Sequence, residues 1–402
     1  MSTVDRAAWS LVQRTDFTVY TAAGRAILDH TDLYLAQSAR GWRYVYPPPF
    51  AILMVPLTYI PVALGALIWY VLEVLSIGAS VWMSARLLPV SLLDKKHYLL
   101  YGLPLLSLSV LLVSGAMRCQ ASPFMFFLMI ATFYFHFKGH PIASGFSLAA
   151  ATLIKVFPIT LVMYFAIRGQ WRNLCAMVVG LLILGIVLPS MYWGWQFNLH
   201  QIGRWLEVVG QPAMMSNTDR AGLTTLYEQL LNTTKPRNQS LESLFLSWNI
   251  SASFVHILVG GCAFLMFMMM WLSARHIKRT TVIIRDGFPS LEEGLLCSAF
   301  IIWSLLITPI SETHYFGALL MPLILLIGYV VHRVPEEADQ KYYFTLGSII
   351  MVAVMVMIGI ESVAVWRPLC IVSLLLWFVC IYLIWRPYNS YVALGQSRLI
   401  VD

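Results

Sequence analysis

Long apolar runs with almost no charge recur along this chain, and their length and spacing restrict its fold more than any other feature. A helix needs about 20 apolar residues to cross a hydrocarbon core about 30 Å thick, because each residue advances it by about 1.5 Å. Runs of this kind lie near 63–86, 98–115, 122–137, 174–190, 253–274, 294–310, 315–332, 343–361 and 368–385. Composition points the same way, since 59% of the 402 residues are hydrophobic and only 11% are charged. Too little charge remains to coat a water-facing surface. The backbone must satisfy its own hydrogen bonds inside lipid, so the expected fold class is all-α: a polytopic membrane protein with about nine full spans.

One stretch does not fit a single crossing. Residues 141–168 are apolar, but Lys155 and Pro158 interrupt them. Two short helices that enter and leave from one side would satisfy both facts, with the broken backbone surrounded by protein or a watery cavity. Orientation follows from the basic residues. Arg86, Lys95, Lys96, Lys138, Arg168, Arg172, Arg275, Lys278 and Arg333 lie in short segments beside span ends, which marks that side as cytoplasmic. The net charge of +7 is therefore a topological signal, and no nucleic-acid partner is expected. The six cysteines stand singly, without C-x-x-C spacing, so neither a disulfide framework nor a zinc site organises the chain.

Five regions result. Residues 1–62 form an outer segment with interfacial helices, 63–190 a membrane core containing the broken hairpin, 191–252 an outer loop, 253–385 the C-terminal spans and 386–402 a cytoplasmic tail. Residues 1–14 are too short and polar to span and lack an h-region. The expectation is that the N-terminus translocates unaided or that a first transmembrane helix is missing ahead of it.

Polar residues collect at the outer ends of the spans. Near the N-terminus, Phe17, Tyr20, Ala23, Ile27 and Leu28 fall on one face of an amphipathic helix with Asp16 in its first turn, where an acid ordinarily complements the helix dipole. The Tyr46–Pro49 run then starts an apolar element, 50–59, too short to span and suited to the interface plane. Arg118 and Gln120 occupy a turn between two spans, Lys155 the break, and His314 a short turn beside Glu312. Singly, such residues snorkel to headgroups; together, three cationic groups from three hairpins on one face could surround a lipid-linked phosphate. In the outer loop, Asn238 and Gln239, with Trp195, Arg204 and Trp205 upstream, offer amides and rings suited to sugars, although a plain outer loop would also be polar.

These stretches together resemble glycosyltransferase family 87, within the GT-C superfamily of multi-spanning transferases. The resemblance runs through Asp16-Phe17 with Val19-Tyr20, Leu33-Tyr34, Tyr46-Pro47-Pro48 ahead of Pro56, the Gly115–Gln120 turn, Ala150–Pro158 with its lysine, Arg168–Arg172, Asn238-Gln239-Ser240, and His314-Tyr315-Phe316 ahead of Pro322. The turn reads GAMRCQ and lacks the family's adjacent Gly-Gln pair.

What the resemblance implies is a GT-C type fold and transfer of a mannose-like hexose from a polyprenyl-phosphate carrier to a hydroxyl of a glycolipid or glycan acceptor at the outer face of a bacterial plasma membrane. By position, Asp16 matches the family's base. Lys155, Arg118 and His314 would hold the donor phosphate, and Tyr20, Tyr46, Gln120, Asn238 and Gln239 would line the substrates. No cofactor and no metal is expected, because Asp16 lacks the second acid of a D-x-D pair. Besides the two substrates, membrane lipids are the expected partners. A polytopic lipid or sugar transporter is the rival reading, weakened by the absence of a repeat between the halves and by Glu73 being the one clear acid within an apolar run.

Overall fold

A computed structural model describes residues 15–38, 41–211, 234–280, 288–333 and 366–386. Among these residues the protein is helical, with two isolated bridges and no sheet. The outer segment opens with α1, Phe17–Leu28, whose Phe17, Tyr20, Ala23 and Ile27 are buried on one face as the 3.6-residue period requires. Asp16 precedes this helix at the N-cap, and its side chain makes no capping hydrogen bond to the helix. Pro48 opens α2, Pro48–Met54, at a position where a missing N–H costs nothing, and a 3₁₀ turn, Val55–Thr58, completes it. Residues 1–14 lie outside the described residues.

Among the described residues, five segments are long and apolar enough to cross a membrane. They are Val62–Ala85 (α3), Trp171–Trp193, Ala252–Ile277 within α12 (Ala252–Thr280), Thr313–His332 and Pro368–Trp385. The last is α15 in the order used below, and it coincides with the apolar run 368–385. The run 98–115 belongs to a longer helix, α4, Val90–Ala116, so Lys95 and Lys96 stand on helical backbone rather than in a loop. Pro89 at its N-cap explains the early start. The span read at 343–361 lies outside the described residues.

Helix α5, Ser122–Phe137, leads into the broken hairpin. Its first arm is α6, Pro141–Ile154; Lys155 is extended; a 3₁₀ turn, Phe157–Leu161, and α7, Val162–Ile167, return. The His136 ring near the end of α5 lies 5.3 Å from the Phe165 ring near the end of α7, so both arms begin and end at one level. The hairpin is held by close approach of α6 to α8, Trp171–Leu182. Gly145 and Ala149 face Ala176 and Gly180 at four-residue spacing, the small-residue pattern that lets helix backbones touch. A Cβ on Gly145 would sit 2.5 Å from Met177 N and 2.6 Å from Asn173 O, backbone atoms that cannot step aside. Gly145→Ala is therefore expected to lower stability by about 1–3 kcal/mol, read as thermal unfolding in detergent; an unchanged midpoint would refute this account of the packing.

Beyond α8 the helix passes through a π-helical turn, Ile183–Val187, into α9, Leu188–Trp193. Pro189 has no N–H for the Gly185 carbonyl four residues back, and the Asn198 amide donates to the Gly185 and Ile186 carbonyls instead, at 3.5 and 3.2 Å. Asn198 stands on α10, Trp195–Trp205, so part of the presumed outer loop is helix. Helix α10 rests on the N-terminal segment: Arg204 pairs with Asp32 at 2.9 Å and Trp205 Nε1 donates to the Val45 carbonyl at 3.2 Å. These two residues are thus joined to the outer segment, and Trp195 is exposed.

The C-terminal half is built round α13, Leu291–Ile307, which is buried continuously from Glu293 to Leu306 and so is apolar on all sides. It is preceded by α11, Leu241–Ser247, and α12, and followed by a 3₁₀ turn, Thr313–Leu319, α14, Leu320–Arg333, and α15. At its N-terminal end Glu293 forms an ion pair with Arg168 and accepts a 2.7 Å hydrogen bond from Tyr164 Oη. Arg168 Nη1 also donates to the Ala274 carbonyl of α12 at 2.9 Å, so this cluster ties the hairpin to the C-terminal helices.

Candidate active site

The turn between α4 and α5 is the platform of the site. Gln120 N–H donates to the Gly115 carbonyl at 3.2 Å and Cys119 N–H to the Ala116 carbonyl at 2.9 Å, the paired bonds of a Schellman ending. Cys119 takes the left-handed φ of 51° that such an ending requires and that glycine usually supplies. The position before Gln120, where the family's Gly-Gln pair is absent, is therefore the left-handed one. Asp16 N–H docks on this turn by donating to the Arg118 carbonyl at 2.9 Å.

Around that contact the aromatic residues close in. Ala121 N–H donates to Tyr20 Oη at 3.3 Å, and Tyr20 and Tyr46 share a hydrogen bond of 2.9 Å between their hydroxyls. Burial, reinforced by Tyr46 and by Asp16, holds the Tyr20 hydroxyl well above its ordinary pKa, so it stays protonated. Trp69 Nε1 secures the platform from below through the Cys119 carbonyl, and Gln120 is buried within the turn.

Lys155 reaches the same place from the hairpin break. Its Nζ donates to Ser122 Oγ at 3.1 Å, lies 3.5 Å from the centre of the Tyr315 ring and 5.8 Å from that of Tyr46. Burial pulls its ammonium down to about 7, an effect that the negative charges of Glu312 and Asp16 partly offset. The Arg118 guanidinium is likewise lowered, by burial and then by Arg237, against the opposing influence of Glu312 and Asp16.

His314 completes the group. Its Cβ lies 3.4 Å from where a Cβ would stand on Gly115, so the 313–319 turn packs against the platform. Lys155, Arg118 and Arg237 all act on its ring electrostatically. Asp16, Arg118, Lys155 and His314 are thus brought together, as the sequence suggested, along with Tyr20, Tyr46 and Gln120. Among the described residues no set of three His, Cys, Asp or Glu converges as metal ligands do.

Asn238 and Gln239 are placed differently. Both are buried, and their amides are taken up by the backbone: Asn238 Nδ2 donates to the Pro309 carbonyl at 2.8 Å, and its Oδ1 accepts from Ser311 N–H at 2.8 Å. Gln239 Nε2 donates to the Pro236 carbonyl at 2.8 Å, and its Oε1 accepts from Leu369 N–H at 3.1 Å. Instead of facing a sugar, these amides brace the segment that leads to Glu312 and His314. Sequence reasoning passed over Arg237, Glu312, Tyr315 and Ser122 as site residues. Each stands within two positions of a residue it singled out.

Arranged this way, a half-buried carboxylate adjoins several cationic groups at one end of a helical membrane bundle, a setting suited to an anionic substrate. The profile of glycosyltransferase family 87 matches residues 44–285, and the chain belongs to that family. It is an integral membrane glycosyltransferase with a donor and an acceptor substrate. The matched span contains Arg118, Lys155 and Arg237; Asp16 and His314 lie on either side of it. Neither the curated proteins nor the solved structures contain a match to the chain.

Proposed function

We propose that this protein transfers a hexose, mannose-like, from a polyprenyl monophosphate to a hydroxyl of a glycolipid or glycan acceptor at the outer face of a bacterial plasma membrane. The observation that carries the reading is the convergence of Arg118, Lys155 and His314, from three separate turns, beside Asp16. In the reaction the acceptor oxygen attacks the anomeric carbon while Asp16 takes its proton, and the bond from that carbon to the phosphate oxygen breaks with inversion. The donor is a phosphodiester with one negative charge, and the departing polyprenyl phosphate gains a second. Fixed cations in a low-dielectric site stabilise that added charge more strongly than water would, so no divalent metal or other cofactor is invoked. Of Tyr20, Tyr46 and Gln120, expected to line the substrates, Tyr46 is the partly exposed one; Tyr20 and Gln120 are buried and support it and the turn from behind.

The test is transfer from radiolabelled polyprenyl-phosphate sugars to total membrane lipid by purified protein, with a chelator present. Lys155 gives it a pH signature. A lysine held near 7 loses its charge as pH rises through that value, so donor kcat/KM should fall on the alkaline side. Lys155→Ala should cost about tenfold to a thousandfold in donor kcat/KM, and Lys155→Arg, which stays charged, should move the alkaline limb upward. Equal losses for donor and acceptor in Lys155→Ala would indicate general misfolding and remove Lys155 from the phosphate site.

A further inference from the structure

Glu312 has no role in the scheme above, yet it is the acid that faces the His314 ring. Its backbone is fixed from outside: Asn238 bridges Glu312 antiparallel, and Gln239 N–H donates to the Ser311 carbonyl at 2.8 Å. Because this clip uses main-chain atoms of the 311–312 segment, the Glu312 side chain remains 37% exposed on the open side of the site. Its Oε2 lies 3.5 Å from His314 Nδ1, a separation that must close a little to make a hydrogen bond. His314 itself is buried, and neither ring nitrogen has a hydrogen-bond partner among the described residues. A buried imidazole with both nitrogens unmatched calls for an explanation.

The surroundings supply one. The charged groups acting on the ring are Lys155 from the hairpin, Arg118 from the α4–α5 turn and Arg237 from the segment before α11, all cationic, with Glu312 on the ring's own turn. The Tyr315 ring packs edge-on at 4.9 Å. A neutral imidazole carries one N–H, so it can give a proton to a carboxylate or to a phosphate but not to both. An anion on each side favours the form with two.

We infer that Glu312 is a positioning residue for His314: its carboxylate accepts Nδ1–H and so presents Nε2–H to the donor phosphate. The ring takes up one proton from water as the donor binds and then bridges the two anions. This inference rests on the reading that His314 meets the donor phosphate.

The experiment uses the full-length protein and the variants Glu312→Gln, Glu312→Asp, His314→Gln and the Glu312→Gln/His314→Gln double. Glu312→Gln should raise donor KM about tenfold, the loss that goes with a charge-assisted hydrogen bond, and leave acceptor KM unchanged. In a Lys155→Arg background, where the alkaline limb no longer reports Lys155, Glu312→Gln should still shift that limb of donor kcat/KM down by about one pH unit. Glu312→Asp should recover part of both effects, and the double variant should be no worse than His314→Gln alone. An unchanged donor KM and pH profile in Glu312→Gln, or losses that multiply in the double variant, would overturn the inference. Polyprenyl monophosphate alone gives a second readout: it should raise the melting temperature of the unsubstituted protein more than that of Glu312→Gln. If the unsubstituted protein transfers no sugar yet shows that difference, the transferase reading fails and the pairing stands; equal shifts in both proteins would sink the pairing.

Discussion

Asp16→Asn should lower the turnover number for glycosyl transfer about a thousandfold, within the range that a positioned general base contributes. Asparagine keeps the shape of the side chain but cannot accept the acceptor's proton. Donor affinity should change far less than turnover, through the loss of the Asp16 charge that helps keep Lys155 protonated. The fold should also hold, since the backbone N–H of Asp16, which asparagine keeps, is docked on the Arg118 carbonyl. That carboxylate makes no capping bond to its own helix, while its charge is felt by Lys155, Arg118, Tyr20 and Tyr46. These four residues all belong to the site. Turnover at the original rate in Asp16→Asn, with an unchanged melting profile, would exclude Asp16 as the base.

At the opposite end of the molecule, Glu293→Ala should destabilise the fold by about 3–5 kcal/mol, the cost of stranding one member of a buried ion pair. Arg168 and Glu293 are both largely buried, and Tyr164 and the Ala274 carbonyl complete their bonding. Removing the acid leaves a guanidinium and a phenol without their partner at the point where the hairpin joins α12 and α13. By contrast, the pair of Arg204 and Asp32 is partly exposed, and breaking it should cost no more than about 1 kcal/mol. Thermal or denaturant unfolding in detergent distinguishes the two. A loss below about 1 kcal/mol in Glu293→Ala would mean that the cluster does not lock the hairpin. Because Lys155 sits at the tip of that hairpin, the variant should also lose activity in proportion to the unfolded fraction.

Much of this architecture was legible in the sequence because its causes are local. An apolar run of sufficient length becomes a helix that crosses lipid, and 368–385 could be read almost to the residue. The interruption by Lys155 and Pro158 gave the hairpin for the same reason, since a charge and a missing N–H break a helix wherever they fall. The period of Phe17, Tyr20, Ala23 and Ile27 gave α1. Asp16, Arg118, Lys155 and His314 were legible as rare charges at the ends of apolar segments.

What tertiary structure alone decided is how those charges are partnered. An amide in an outer segment has the same letter whether it meets a sugar or a carbonyl, and only the fold shows Asn238 and Gln239 committed to residues 309–311 and 369. Glu312 and Arg237 look like ordinary surface charges until the bridge between Asn238 and Glu312 carries them to the site. Tyr315 reads as one more aromatic residue, yet its ring lies under the Lys155 ammonium. Spans and breaks follow from the cost of placing a residue in lipid, which each segment pays by itself. The grouping of acid, cations and rings depends on packing between segments up to three hundred residues apart, such as Asp16 and His314, and no local pattern records it.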